Sequence, residues 1–203
     1  MTTFKITDEL IEKIHKLIEK KQNKELTTLL NDLHYADIAE IIHELDIEEG
    51  VYIIRLIDAE KTSDVLTELD DDYRENILKN LSAKEIADEI IELDTDDAVD
   101  IISELPEDRK TEVISHITDV EHAKDIVELL RYGEDTAEGL MAKELVKVNE
   151  NWNVLKCVKE MREQAAHVTR VHSIYVVDDN DVLKGRLSLK DLLTTSTRSE
   201  VKD

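Results

Sequence analysis

The chain has 203 residues, 37% of them charged, and a formal net charge of −23, yet only 3% aromatic residues and one cysteine. Such a balance excludes a nucleic-acid or anionic-lipid surface as the main partner. A lone cysteine excludes an internal disulfide, and no run of 18 or more apolar residues is present that could cross a membrane as a helix.

The charge is unevenly placed. Residues 1–24 carry a net +2, residues 25–140 a net −26 and residues 141–203 a net +1. The middle of the chain is therefore an acidic surface whose natural partners are cations or a basic protein face.

That acidic stretch is periodic. Nine apolar residues stand twelve apart: Leu33, Leu45, Ile57, Leu69, Leu81, Leu93, Leu105, Ile117 and Leu129. Most are preceded at i−4 and i−3 by further apolar residues, as in Ile41-Ile42-Leu45, Ile53-Ile54-Ile57 and Ile101-Ile102-Leu105. This is one stripe of a helix, not the alternation of a strand. Two units deviate, because Glu89 and Asp125 replace the apolar residue at i−4.

The residue after each anchor is a helix starter in most units: Asp46, Asp58, Asp70, Ser82, Asp94, Pro106 and Thr118. Ser82 with Glu85 and Thr118 with Glu121 have capping-box spacing, and Asp46 with Glu49 resembles it. A helix of about nine residues is only about 14 Å long and marginal alone, so neighbours must stabilise it. The period predicts a superhelical solenoid of short helices, with two helices per 24-residue stacking unit.

Many acids in this array are explained by capping and the helix dipole. Asp64 and Asp100 are not, since each lies six residues past its cap. Asp96 and Asp100 stand at i,i+4 on one helix face and repel each other. Two carboxylates about 5 Å apart at an effective dielectric of about 20 repel by roughly 3 kcal/mol, which a cation would relieve.

The helical period stops near Tyr132, and Gly133 and Gly139 bracket a polar joint. Beyond it the pattern reads βαββα: a strand at 145–148, a helix from Trp152 to Ala165, and a buried strand at 173–177. A turn at 178–181, a returning strand at 182–188 and a helix beginning at Leu189 complete it. The predicted fold is mainly α with a smaller α+β piece.

The string 183–193, Leu-Lys-Gly-Arg-Leu-Ser-Leu-Lys-Asp-Leu-Leu, resembles the end of a CBS motif, the cystathionine-β-synthase type of regulatory module. Tyr175-Val176-Val177-Asp178 and Leu140-Met141 fit the same motif. With the acidic helical array before it, and the joint Arg131-Tyr132-Gly133-Glu134-Asp135-Thr136-Ala137-Glu138-Gly139-Leu140-Met141, the whole chain resembles the cytosolic part of MgtE-type magnesium channels. The resemblance implies an N domain at 1–132, a joint at 133–140, a CBS motif at 141–195, and a linker at 196–203 to a second CBS motif not present here.

Further implications follow from the resemblance. The region would sense Mg2+ on the cytoplasmic side of a cell membrane, and metal bridging of acidic surfaces would close a pore. Metal ligands fall on Asp64, Asp96 and Asp100, on the backbone of Gly139, and less directly on Asp97. Its partners would be the absent second CBS motif, a connecting helix and the pore, with a homodimer through the CBS faces. It would neither bind nucleic acid nor insert in the membrane.

A rival reading is an adenosine-nucleotide sensor, with ATP as ligand and Ser188 and Asp191 at phosphate- and ribose-facing positions. A third is an acidic solenoid that docks a basic protein. An enzyme is not expected: the seven histidines show no metal-ligand or triad spacing, and Cys157 sits in a helical run as a core residue.

Overall fold

The structure is a computed structural model that describes residues 6–133, 136–168, 171 and 173–202. The chain divides into two compact units, Met1–Gly139 and Leu140–Asp203.

The first unit is built of α1 (Asp8–Glu19), α2 (Asn23–Asn31), α3 (Tyr35–His43), α4 (Ile47–Ile54), α5 (Ala59–Glu68), α6 (Asp71–Lys79), α7 (Ala83–Ile90), α8 (Thr95–Ser103), α9 (Glu107–His116) and α10 (Val120–Leu129). Side-chain caps set several starts. Asp46 accepts from the Glu49 amide and Asp58 from the Lys61 amide, while Ser82 and Glu85 form a reciprocal capping box. At α10 the cap moves by one residue. Asp119, not Thr118, accepts from the Glu121 and His122 amides, because its carboxylate reaches two amides at once.

Most anchors lie just beyond the helices rather than inside them. The amides of Leu33, Leu45, Leu81, Leu93, Leu105 and Ile117 each donate to the carbonyl three residues back, closing the helix with a tight turn that requires no glycine. The side chain then folds inward, and all the anchors but Leu33 are buried. Side chains from later helices satisfy anchor carbonyls that the helix ends leave free. Tyr73 donates to Leu45 O at 2.8 Å, Arg74 to Leu69 O at 3.0 Å and Arg109 to Leu81 O at 2.8 Å.

Alternate helices pack most closely. One row runs α3 on α5, α5 on α7 and α7 on α9; the other includes α4 on α6 and α8 on α10. Partners in a row are thus 24 residues apart, and one continuous aliphatic core runs from Ile14 to Leu129.

The second unit is a three-stranded sheet in the order β1 (Val146–Asn149), β2 (Ile174–Val177), β3 (Leu183–Leu187). β1 and β2 are parallel and joined through α11 (Val154–Gln164), while β2 and β3 are an antiparallel hairpin. The hairpin turn is tied by Asp178, whose Oδ1 accepts from the amides of Asn180 and Val182, and Asp181 takes a positive φ of 64°. The last helix is α12 (Leu189–Thr194). The core of this unit joins Val146, Val148, Val154, Cys157, Ile174, Val176 and Leu192.

Residues read as a linker fold back on this unit. Ser199 O accepts from the Val154 amide, Thr197 O from Leu155, and the Val201 amide donates to Trp152 O. The start of α11 has free amides, and an extended tail can satisfy them. Among the described residues no helix is long and apolar enough to cross a membrane.

Candidate functional site

Asp64 lies in the last turns of α5, and Asp96, Asp97 and Asp100 line α8 within five residues. The two helices come from different rows, yet the fold brings their acids within electrostatic reach. The Asp97 carboxyl is pushed above its ordinary range, first by desolvation, then by Asp96, Asp94, Asp100 and Asp64. Four carboxylates therefore act on a fifth.

Asp100 also faces a cation. Arg74 of α6 feels its charge, and both line an open groove of about 990 Å³ with His43, Glu68 and Asp70–Asp72. Arg74 itself is committed elsewhere, to Glu104 and to the Leu66 and Leu69 carbonyls.

Gly139 belongs to the end of the first unit, where its amide donates to Thr136 Oγ1 at 3.1 Å and the Thr136 hydroxyl donates to Gly133 O. Glu134 and Asp135 of the joint lie outside the described residues, as do His172 and the side chain of His167.

The donor set suits a hard cation such as Mg2+: all oxygen, strongly acidic, and already strained by mutual repulsion. It is not a closed cage. Among the described residues no group of three or more His, Cys, Asp or Glu is arranged to hold a metal ion. Mg2+ keeps several waters and is held by one or two carboxylates, so an open acidic face remains compatible with it.

In the second unit, Ser188 precedes α12 and is exposed, as is Asp191. Ser188 and Arg186 line a largely apolar groove of about 790 Å³ with Ile174, Leu189 and Met161. Asp191 is on the adjoining turn and does not line it. Cys157 is fully buried with its thiol pushed up by desolvation, 3.7 Å from Met161 Sδ, which is a packing role.

Several long-range charge pairings of the helical unit carry no signal in the sequence. The Arg55–Glu85 pair at 2.7 Å joins α4 to α7, and His15 meets Glu49 at 2.7 Å between α1 and α4. Glu89, singled out only for breaking the stripe, has Oε2 sealed from solvent with no hydrogen-bond partner.

The MgtE intracellular N domain matches residues 33–135, which is 103 of the 203 residues, and a CBS domain matches residues 137–197. This chain belongs to the MgtE family. Magnesium transporter MgtE of Thermus thermophilus is 27% identical over 196 residues, covering 96% of this chain and 44% of the relative. Its namesake in Enterococcus faecalis is 32% identical over 83 residues, 41% of this chain and 18% of that protein. The Bacillus subtilis protein of the same name is 24% identical over 196 residues, 97% of this chain and 43% of its own. The chain spans less than half the length of these MgtE relatives.

Solved structures agree. The crystal structure of the cytosolic domain of the Mg2+ channel MgtE in complex with ATP superposes with a TM-score of 0.86 at 28% identity, over 95% of this chain and 78% of that one. A crystal structure of the soluble part of a magnesium transporter gives 0.80 at 24% identity, over 96% and 77%, and shows the shared fold.

Proposed function

We propose that this chain is the regulatory region of a magnesium transporter on the cytoplasmic side of a membrane, and that the acidic face of α5 and α8 senses Mg2+. The observation that carries the reading is the crowding of Asp64, Asp94, Asp96 and Asp100 on Asp97. Repelling carboxylates hold free energy that a divalent cation releases. Asp64, Asp96 and Asp100, with Asp97 and the Gly139 backbone, are the residues proposed to hold it. A bound Mg2+ supplies charge neutralisation between acidic surfaces.

The partners that complete such sites are, on this reading, a second CBS motif, a connecting helix and a membrane pore, with a second copy pairing through the CBS faces. Ion binding shared between bodies couples their positions, so that high Mg2+ favours the closed arrangement. The activity is regulatory and not enzymatic.

A second ligand is supported by one observation: the structural neighbour at 28% identity is a complex with ATP. Ser188 and Arg186 at the CBS groove would face its phosphates, while Asp191, expected at the ribose, lies outside the groove lining.

Calorimetry and thermal unfolding with MgCl2 and ATP in separate arms test both. Excess Mg2+ should stabilise the helical unit beyond NaCl at matched ionic strength. The gain should shrink when Asp64, Asp96 and Asp100 are changed to Asn. A response identical to that of NaCl removes the sensor assignment.

A further inference from the structure

Glu89 occupies a position that every neighbouring unit fills with an aliphatic residue. Four residues before their anchors stand Ile41, Ile53, Val65, Ile77, Ile101 and Val113, all 0 or 1% exposed. At the same place in α7, between the buried Ile86 and Ile90, this chain puts a carboxyl group. Its Oε2 is sealed from water and finds no donor.

The surroundings give that carboxyl no cation. From its own helix and the turn after it, Glu85, Asp88 and Glu92 act on it, and from the start of α5 so does Asp58. Arg55 of α4 is spent on Glu85 and on Asn80 O. On α9, the other helix packed against α7, Arg109 donates from Nη2 to Leu81 O and keeps a buried Nε without a partner, Lys110 pairs with Glu107, and neither forms an ion pair with Glu89. The backbone beside it closes the seam to α5: Ser63 Oγ donates to Glu89 O at 2.7 Å.

We propose that Glu89 is a proton switch in the helical unit: as the neutral acid it completes the α5–α7 seam, and as the carboxylate it loosens it. Burial and the four acids together move its titration from 4.5 up to about 7. The folded unit then holds a proton that the unfolded chain has released. Stability is greatest below about 4.5, falls as pH rises, and levels off above about 7. The full effect is bounded at about 300-fold in the folding equilibrium. The switch is independent of the metal reading.

Two measurements on the unsubstituted chain and on Glu89→Gln test this. The Glu89 side-chain carbon should titrate in 13C NMR near neutrality. Urea unfolding of the helices, followed by circular dichroism, should weaken between pH 5 and pH 8, and Glu89→Gln should remove that component. Fluorescence of Trp152, which lies in the other unit, should not follow it. Glu89→Leu restores the stripe and should be insensitive to pH as well, which keeps the test open if the Gln variant does not fold. A Glu89 titration below pH 5.5, or the same pH dependence in the unsubstituted chain and its variants, would overturn the proposal.

Discussion

Arg74 of α6 clasps Glu104, thirty residues further on at the end of α8, with Nε 3.0 and 3.1 Å from its two carboxylate oxygens. Arg74 is 8% exposed and also donates to the Leu66 and Leu69 carbonyls. One side chain thereby links two helices of the same row and the loop between α5 and α6. Arg74→Ala leaves a half-buried carboxylate and two carbonyls unpaired, and should cost about 3–5 kcal/mol in urea unfolding. The double change Arg74→Met with Glu104→Leu should recover much of that loss, because no buried charge then stands alone.

The capping box at α7 predicts an acid limb. Arg55 and the Ser82 amide and hydroxyl hold the Glu85 carboxyl down to about 2, below its usual 4.5. A depressed carboxyl contributes fully above its unfolded value and loses that contribution as pH falls from 4.5 toward 2. Glu85→Gln should flatten stability across this range. Ser82→Ala should cost about 1 kcal/mol at neutral pH. Acid titration followed by circular dichroism reads the first, and urea midpoints the second.

Asp97 carries the opposite sign. Its folded carboxyl is raised by desolvation and by its acidic neighbours, so its ionisation weakens the fold as pH rises. Asp97→Asn should stabilise the chain in metal-free buffer, because it removes a carboxylate crowded by its acidic neighbours. The same variant should respond less to added Mg2+. Thermal unfolding with and without Mg2+ reads both effects.

Gly50 sits in α4 where a Cβ would come 2.9 Å from Ile77 Cδ1 and 3.4 Å from Ile42 Cγ2. Both isoleucines are fully buried and have no free volume to yield. Gly50→Ala gains up to about 1 kcal/mol of helix propensity but overpacks this contact, so a net loss of about 1–2 kcal/mol is expected. The melting temperature of the variant tests the balance.

The period of twelve made the helical unit legible, because a recurring apolar triplet and a recurring cap report the same helix from both ends. The triplet does not specify where the helix stops. The tight turn that places Leu45 or Leu93 outside its helix depends on a backbone bond with no side-chain signature. Thr118 has the spacing of a starter, but the Asp119 carboxylate prevailed by reaching two amides. The crowding between Asp64 and α8 was partly legible, since neither helix capping nor the dipole accounted for Asp64. Its meeting with Asp97 needs the stacking of rows, which only the folded chain supplies. Glu89 could be read as a break in the stripe, but its lack of a partner could not, because that depends on Arg55 being drawn to Glu85 and on the Arg109 guanidinium being turned to Leu81 O.

The stacking of helices on their second neighbours gives this protein a parity. Removing or adding 24 residues keeps every remaining helix on its own side of the array, whereas a change of twelve transfers all that follow to the opposite side. Asp64 stands on an odd-numbered helix and Asp96, Asp97 and Asp100 on an even one. A single-helix deletion between them would retain all four carboxylates and part the acidic face.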